Sequence, residues 1–161
     1  MSNRTRPRRS DREEQGVTAW SLLLRTHAAL VPRLSRELEA AEGLPLSWYD
    51  ILLELNAAPG RRLRMQELGS RVVLSRSQAS RVVDELARAK FACREPDPHD
   101  RRGSYAVLTD TGRKALRSAA PVYLTGIGEK FTAHLTDAEL RVLSHGLARV
   151  LTAAEDDQAP G

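Results

Sequence analysis

The stretch from residue 67 to residue 108 constrains the fold most, because it combines four different local patterns in one continuous segment. A short helical pattern is followed by a tight turn and then by a second helical pattern. Ser75 and Gln78, three residues apart at the start of the second pattern, form the sequence signature of a capping box. Two short extended runs around a basic, Pro-containing loop come next and are typical of a hairpin. This order predicts a winged helix-turn-helix.

At about 100° per residue, the second helix gathers four apolar side chains on one face, which we predict to be buried: Ala79, Val82, Val83 and Leu86. The opposite face and its flanks carry hydroxyl, amide and guanidinium groups, which can read base edges or contact phosphates. In a recognition helix the N-terminal residues reach the bases, while the helix N-terminus adds affinity for phosphate. The sequence therefore predicts a DNA-binding face that contains Ser75, Arg76, Ser77, Gln78, Ser80 and Arg81.

Positive charge is concentrated in this part of the chain. From Arg61 to Arg102 there are eleven basic and six acidic side chains, a net charge of +5, whereas the whole chain carries +4. A nucleic-acid binder needs its cationic side chains at the binding surface. The alternative is a winged helix that serves as a protein-protein interaction module without DNA-binding activity. The basic excess and the polar outward face of the second helix argue against that alternative.

Only 4% of the residues are aromatic, so the core must consist mainly of Leu, Val and Ala, which favours packed helices. We predict a mainly α fold, with the winged helix-turn-helix held by a helical dimerisation region formed by the N- and C-terminal helices. The predicted boundaries are a disordered basic arm at 1–14, an N-terminal dimerisation helix at 15–46, a DNA-binding lobe at 47–108, C-terminal helices at 109–154 and a frayed tail at 155–161.

The flanking helices give further local expectations. Pro32 should kink or split the first helix, Ser47 should cap the second, and Thr109 should cap a long helix that reaches about His134. The hairpin loop is predicted at 96–103. The first helix is apolar on two sides and the last carries a narrow apolar stripe, which together indicate a dimer interface as well as a core.

Several functional classes are disfavoured. The four histidines are scattered, and no metalloprotease, phosphate-loop or serine-elbow motif is present, so we expect neither an enzyme, nor a cofactor, nor a metal site. Cys93 is the single cysteine, which excludes a disulfide framework within the chain; a redox role for Cys93 is disfavoured but left open. The sequence lacks an apolar run long enough to span a bilayer and an apolar stretch behind its basic N-terminus. We therefore expect a cytoplasmic protein without membrane contact.

The residues that follow the second helix make the pattern specific. The run LSRSQASRVVDELARAK, the Asp100-Arg101-Arg102 motif, and the VLT and TDTGR segments resemble the MarR family of bacterial transcriptional regulators over roughly Trp20 to Leu151. The resemblance implies that Arg102 enters the DNA minor groove with Asp100 as its orienting partner, and that Arg101 is the other candidate. A narrow minor groove is strongly negative and attracts an inserted guanidinium.

The resemblance also implies a homodimeric repressor that binds a pseudo-palindromic operator through two recognition helices, about one turn of DNA apart. Members of the family commonly bind small aromatic or acidic effectors between the dimer base and the DNA lobe. Release by such a ligand is therefore an expectation here. The candidate ligand-binding side chains are Trp20, His27, Trp48 and Tyr49, although ordinary core and interface packing is the favoured role for each.

Overall fold

The computed structural model describes residues 10–156. It consists of α1 (Asp11–Glu42), α2 (Leu46–Ala57), β1 (Arg62–Arg64), α3 (Met65–Arg71), α4 (Arg76–Arg88), β2 (Ala92–Asp97), β3 (Asp100–Leu108), α5 (Asp110–Lys130) and α6 (Asp137–Asp156), with 3₁₀ turns at Pro59–Arg61 and Thr132–His134. The three strands form an antiparallel sheet in the order β1-β3-β2. This arrangement confirms the predicted fold class, a mainly α winged helix-turn-helix.

The first helix begins earlier than predicted. The Ser10 hydroxyl accepts a hydrogen bond from the Glu13 backbone N–H, and the Glu13 carboxylate accepts one from Ser10, so a capping box starts the helix at Asp11. The predicted disordered arm is therefore wrong for residues 11–14, while 1–9 lie outside the described residues. The helix also runs on through Pro32 without a break, because the residues beyond it pack into the core and hold the chain helical.

The second helix starts differently from the prediction. The Gly43 backbone, at a φ of 63°, ends α1 in the left-handed conformation that favours glycine. Pro45 then precedes the first residue of α2 and provides no side-chain hydrogen bond to its N-terminus. Ser47 lies inside the helix, so its predicted capping role is wrong. A proline fits this place because its fixed φ suits a helix start, where one N–H is unpaired in any case.

The hairpin is longer than the sequence suggested. Pro96 and Asp97 belong to β2, and β3 begins at Asp100, so the predicted 96–103 loop shrinks to a turn of two residues. Proline is tolerated here because β2 is an edge strand. At the turn, Asp97 and Asp100 are register partners next to an irregularity in the ladder.

The long helix α5 begins as predicted and ends earlier. The Thr109 hydroxyl accepts from the Gly112 N–H and caps α5, but this helix ends at Lys130, short of His134. Thr136 and Glu139 form a capping box at the start of α6. That helix continues to Asp156, so the first two residues of the predicted frayed tail are helical, and 157–161 lie outside the described residues.

The buried core belongs to the lobe formed by α2, α3, α4, the sheet and the adjoining parts of α1 and α5. Its largest fully buried side chains are Leu38, Ile51, Leu52, Leu55, Leu68, Val83 and Leu86. By contrast, α6 has no buried residue at all. In the part of the chain that the structure describes, none of the helices combines the length and the apolar character needed to cross a bilayer.

Candidate nucleic-acid interface

The recognition helix α4 has the amphipathic character predicted from its sequence. Ala79, Val82, Val83 and Leu86 are all buried. The Ser75 hydroxyl accepts from the Gln78 N–H at 3.3 Å, while the Gln78 side-chain oxygen accepts from the Ser75 N–H at 3.0 Å. The helix is therefore anchored along one face and capped at the end that a recognition helix directs at DNA.

Part of the polar face is already engaged within the protein. The side-chain carbonyl oxygen of Gln78 accepts a hydrogen bond in the cap, so the side-chain NH2 group of Gln78 is left to donate outward. The hydroxyls of Ser75 and Ser77 lie 3.2 Å apart. Both are exposed. The cap residues therefore present a small polar surface whose geometry is fixed before any ligand arrives.

Arg94 fixes the position of the wing relative to the recognition helix. From strand β2, its guanidinium donates to the Ser80 hydroxyl at 2.9 Å and to the Ser80 carbonyl at 3.1 Å. It also donates to the Asp84 carboxylate at 2.8 Å and to the Ser104 hydroxyl at 3.4 Å. One planar group thus joins α4, β2 and β3 through four contacts. The hydroxyl of Ser80 serves this junction rather than solvent.

The arginines on α4 are freer than Arg94. Arg76 is exposed at the first helical position. Arg81 keeps 71% of its side chain exposed and lies 3.9 Å from the Glu85 carboxylate one turn later. Such an exposed pair contributes little, and the other Glu85 oxygen accepts from the Trp48 indole N–H at 3.1 Å. Both guanidiniums are therefore available to an external anion.

The wing tip carries the other exposed cations. Arg101 and Arg102 lie at the start of β3 and are exposed. The Asp100 carboxylate accepts from the Arg102 backbone N–H at 2.9 Å. In this structure Asp100 therefore fixes the backbone from which the Arg102 side chain projects, whereas the resemblance implied that it orients the side chain itself.

A cluster that the sequence did not indicate lies between β1 and the hairpin turn. Arg64 of β1 contacts the Asp97 carboxylate at 2.9 Å and donates to the Tyr105 hydroxyl at 3.0 Å. These two contacts raise the pKa of Arg64. Asp97, whose side chain is only 1% exposed, also accepts from the His99 N–H at the hairpin turn. The Arg62 guanidinium lies 3.9 Å above the Tyr105 ring. The hairpin is thus held against β1 up to its turn, while the side chains of Arg101 and Arg102 beside the turn stay exposed.

A second site lies away from this surface. A cleft of about 580 Å³, here called the α2 cleft, opens between α1, α2, Tyr123 of α5 and the turn before α4. Its principal lining residues are His27, Val31, Asp50, Leu53, Glu54, Arg71, Val72, Val73, Leu74 and Tyr123. Burial, with the nearby Glu54 carboxylate, raises the pKa of Asp50 to about 6.

Only one of the four predicted ligand-binding residues, His27, lines the α2 cleft. Trp20 is 59% exposed on α1. Trp48 packs edge-on against Phe91, with ring centres 5.9 Å apart, and bonds to Glu85. Tyr49 is buried against Tyr123, with ring centres 4.9 Å apart. Burial and the neighbouring Asp50 raise the pKa of both tyrosines. Trp48 and Tyr49 are therefore packing residues in this structure.

Comparison with known proteins identifies relatives of the chain. The model of the MarR family matches residues 42–103. YkoM of Bacillus subtilis, named an uncharacterised HTH-type transcriptional regulator, is 36% identical over 76 residues, which cover 47% of this chain and 49% of YkoM. The transcriptional repressor MprA of Escherichia coli K12 is 25% identical over 114 residues, 71% of this chain and 64% of MprA. The chain thus spans 49% of the length of YkoM and 64% of the length of MprA.

A solved structure extends the likeness to nearly the whole chain. Sco3205, a MarR family transcriptional regulator from Streptomyces coelicolor crystallised in complex with DNA, is 33% identical with a TM-score of 0.80. The match covers 96% of this chain and 93% of Sco3205. It confirms the resemblance inferred from the second helix and the Asp100-Arg101-Arg102 wing, and the expectation of a regulator rather than an enzyme. The chain belongs to the MarR family of transcriptional regulators.

Proposed function

We propose that this protein is a homodimeric, sequence-specific DNA-binding repressor that acts in the cytoplasm. The observation that carries the proposal is the Arg94 junction, which holds a capped, outward-facing recognition helix and an arginine-tipped wing in one fixed relation. Preorganised contacts of this kind favour binding, because less conformational freedom is lost when the complex forms. The relative Sco3205 was crystallised in complex with DNA, which supports a DNA-binding role for this protein.

The proposal assigns different tasks to the exposed polar residues. Ser77, Gln78 and Arg81 would contact base edges in the major groove, because their outward groups lie on the first turns of α4. Ser75 and Arg76 at the helix N-terminus would contact phosphates. Ser80 would keep its contacts to Arg94. Arg102, with Arg101 beside it and Asp100 fixing the turn, would enter the minor groove.

Dimerisation is proposed from two exposed apolar surfaces. The N-terminal half of α1 exposes large side chains, among them Trp20 at 59%, and α6 exposes Val142, Val150 and Leu151 at 75%, 65% and 62%. Contiguous apolar surface of this kind usually marks an interface. In this proposal residues 47–108 bind DNA, while 15–46 and 109–154 form the dimer. Two lobes related by a two-fold axis would require a pseudo-palindromic operator.

Repression is proposed because a dimer covering two successive major grooves would block access to a promoter; the relative MprA is itself named a repressor. We further propose that a small molecule bound in the α2 cleft makes the protein release DNA, because the cleft adjoins the turn leading into α4.

The decisive experiment is a band-shift titration over a series of salt concentrations, with binding sites selected from random DNA. We expect affinity to fall steeply with salt. Arg102→Ala should weaken binding and lower the salt dependence by about one counterion, whereas the matched control Arg12→Ala, exposed at the start of α1, should change neither. If no sequence is bound at low salt, the proposal is wrong and a protein-protein interaction module becomes the better interpretation.

The dimer is tested separately. Leu151→Glu should convert the dimer to a monomer in analytical ultracentrifugation, because a charge would replace apolar surface at the interface, and it should leave the helical content of the lobe unchanged. A single species of monomer mass in the unmodified protein at micromolar concentration would contradict the dimer.

A further inference from the structure

The α2 cleft has apolar walls and an acidic floor. Val31, Leu53 and Leu74 supply apolar surface from α1, α2 and the turn before α4. Asp50 and Glu54, one helical turn apart on α2, both line the same space. The cleft therefore combines the two properties of a site for an amphiphilic molecule: surface for an apolar body and fixed charge for one polar end.

The charge that the cleft offers is negative. Within residues 10–156 the Asp50 carboxylate has no hydrogen-bond or ion-pair partner. Arg71 is the one arginine in the lining, but its guanidinium is held by the Glu67 carboxylate one turn earlier and also lies 3.9 Å from Glu54. A cation with two carboxylates around it is a poor acceptor of a third anion. The group left without a counter-charge is Asp50.

We propose that the α2 cleft binds amphiphilic organic cations, such as aromatic amines, and that the bound cation weakens DNA binding. This inference rests on the proposed DNA-binding function and gives its effector a chemical class. The ammonium group would pair with Asp50, next to the ring of Tyr123, which can add a cation-π contact. The apolar body would lie against Val31 and Leu53. The proposed ligand carries a positive charge, whereas the acidic effectors implied by the sequence resemblance carry a negative charge.

The location of the cleft supplies the route to the DNA surface. Val72, Val73 and Leu74 line it and form the turn directly before Ser75, the residue that caps α4. Val72 is buried in the core and Leu74 packs against it, whereas Val73 is 85% exposed, so this turn connects the cleft with the core beneath α4. A molecule lodged between α1 and the turn would move the start of the recognition helix relative to the outer helices. The ligand would shift the equilibrium between these two positions of the helix start only if it binds one of them more tightly than the other.

The test uses the full-length protein without DNA and three compounds of nearly the same shape. Isothermal titration calorimetry at pH 7.5 would compare 3-phenylpropylammonium, 3-phenylpropanol and 3-phenylpropanoate. We expect the cation to bind at least tenfold more tightly than the alcohol, and the carboxylate to bind most weakly. Asp50→Asn should abolish the advantage of the cation over the alcohol, while the control Asp137→Asn on α6 should preserve it.

A pH series gives a second reading of the same contact. Cation affinity should fall as the pH is lowered through about 6, the pKa of Asp50, because the protonated acid cannot pair with the ammonium. The other titratable or charged groups around Asp50 are Glu54, Tyr49, Tyr123, His27 and Arg71. Repeating the series in His27→Gln would remove the imidazole, and the dependence should persist.

The outcomes separate the two proposals. Tighter binding of the carboxylate than of the amine, equal binding of all three compounds, or no binding at millimolar concentration would overturn the cationic site. Failure to bind DNA, with cation binding intact, would overturn the DNA-binding function alone. If the cation binds to the unmodified protein but leaves its affinity for DNA in the band shift unchanged, the regulatory half of the inference is wrong.

Discussion

The winged-helix lobe and the outer helices of this chain are built on different principles. In the lobe, almost every functional element is held by a partner within the same chain: α4 by its buried stripe, the wing by Arg94, and the hairpin turn by Arg64. The outer helices, meaning α6 and residues 11–29 of α1, have no buried side chain. The lobe therefore has its own buried core, whereas the outer helices expose apolar side chains that the proposed dimer would cover.

Two glycines give the largest expected contrast between these regions. A methyl group on Gly112, at the start of α5, would lie 2.0 Å from the Phe91 carbonyl oxygen, which is backbone and cannot move aside cheaply. A methyl group on Gly146 in α6 would meet nothing within 4 Å. Urea unfolding of Gly112→Ala should show a loss of about 3 kcal/mol. Gly146→Ala should gain up to about 1 kcal/mol from helix propensity.

If Gly146→Ala were instead destabilising, atoms of a second subunit would have to lie against that position. Urea unfolding of Gly146→Ala at several protein concentrations would identify a contact with a second subunit, because only such a contact makes the loss of stability depend on protein concentration.

An intermediate effect is expected at Arg94. Arg94→Gln should lower the free energy of unfolding by about 1 kcal/mol, a value reduced for the partial exposure of the guanidinium. The free energy of DNA binding should weaken by more than the free energy of unfolding, because the wing and α4 would no longer be held in a fixed relative position. The matched change in an outer helix, Arg12→Gln on α1, should leave both quantities unchanged.

Arg94→Lys sharpens the test, since a lysine keeps the charge but cannot replace the fork of donors that reaches Ser80, Asp84 and Ser104. If Arg94→Lys bound DNA as well as the unmodified protein, charge alone would be sufficient and the geometric argument would fail.

An effect of similar size and opposite sign is expected at Asp50, which lines the α2 cleft on the boundary between the two regions. The folded state holds the Asp50 proton more tightly than the unfolded chain does, because burial raises its pKa from 3.8 to about 6. The free energy of unfolding therefore decreases at this site as the pH rises from about 4 to about 6. Asp50→Asn should remove that contribution and stabilise the protein at pH 7 by about 1 kcal/mol, after discounting for partial exposure.

Thermal unfolding of the unmodified protein and Asp50→Asn at pH 4.5, 6 and 7.5 measures this difference directly. A constant gap between the two proteins across the series would show that Asp50 does not titrate in that window.

The sequence predicted those features that depend on neighbours along the chain. The capping box at Ser75, the Thr109 cap and the buried stripe of α4 involve residues within one or two helical turns, so a local pattern was enough to place them. The same reasoning failed where a local signal had a competitor: Ser47 is a good capping residue in isolation, but Pro45 starts the helix first.

The features that the sequence did not predict depend on contacts between distant segments. Arg94 meets Ser80 and Ser104 only after the hairpin folds beside α4. Asp97 appeared to be a loop residue, yet it is buried against Arg64, which lies in another strand. Likewise, Trp48 was a candidate for ligand binding because aromatic side chains suit a pocket, and only the fold shows its contacts with Phe91 and Glu85. Charge counts and periodicity carry no information about such pairings.

The positions of the two tryptophans have a spectroscopic consequence. Trp48 is bonded to Glu85 of the recognition helix, while Trp20 is solvent-exposed on α1. The chain contains no other tryptophan, so its intrinsic fluorescence divides into two separable signals. In Trp20→Phe the remaining emission should report movement of the recognition helix, and in Trp48→Phe it should report association of the outer helices. Assembly and DNA release can thus be timed independently without attaching a dye.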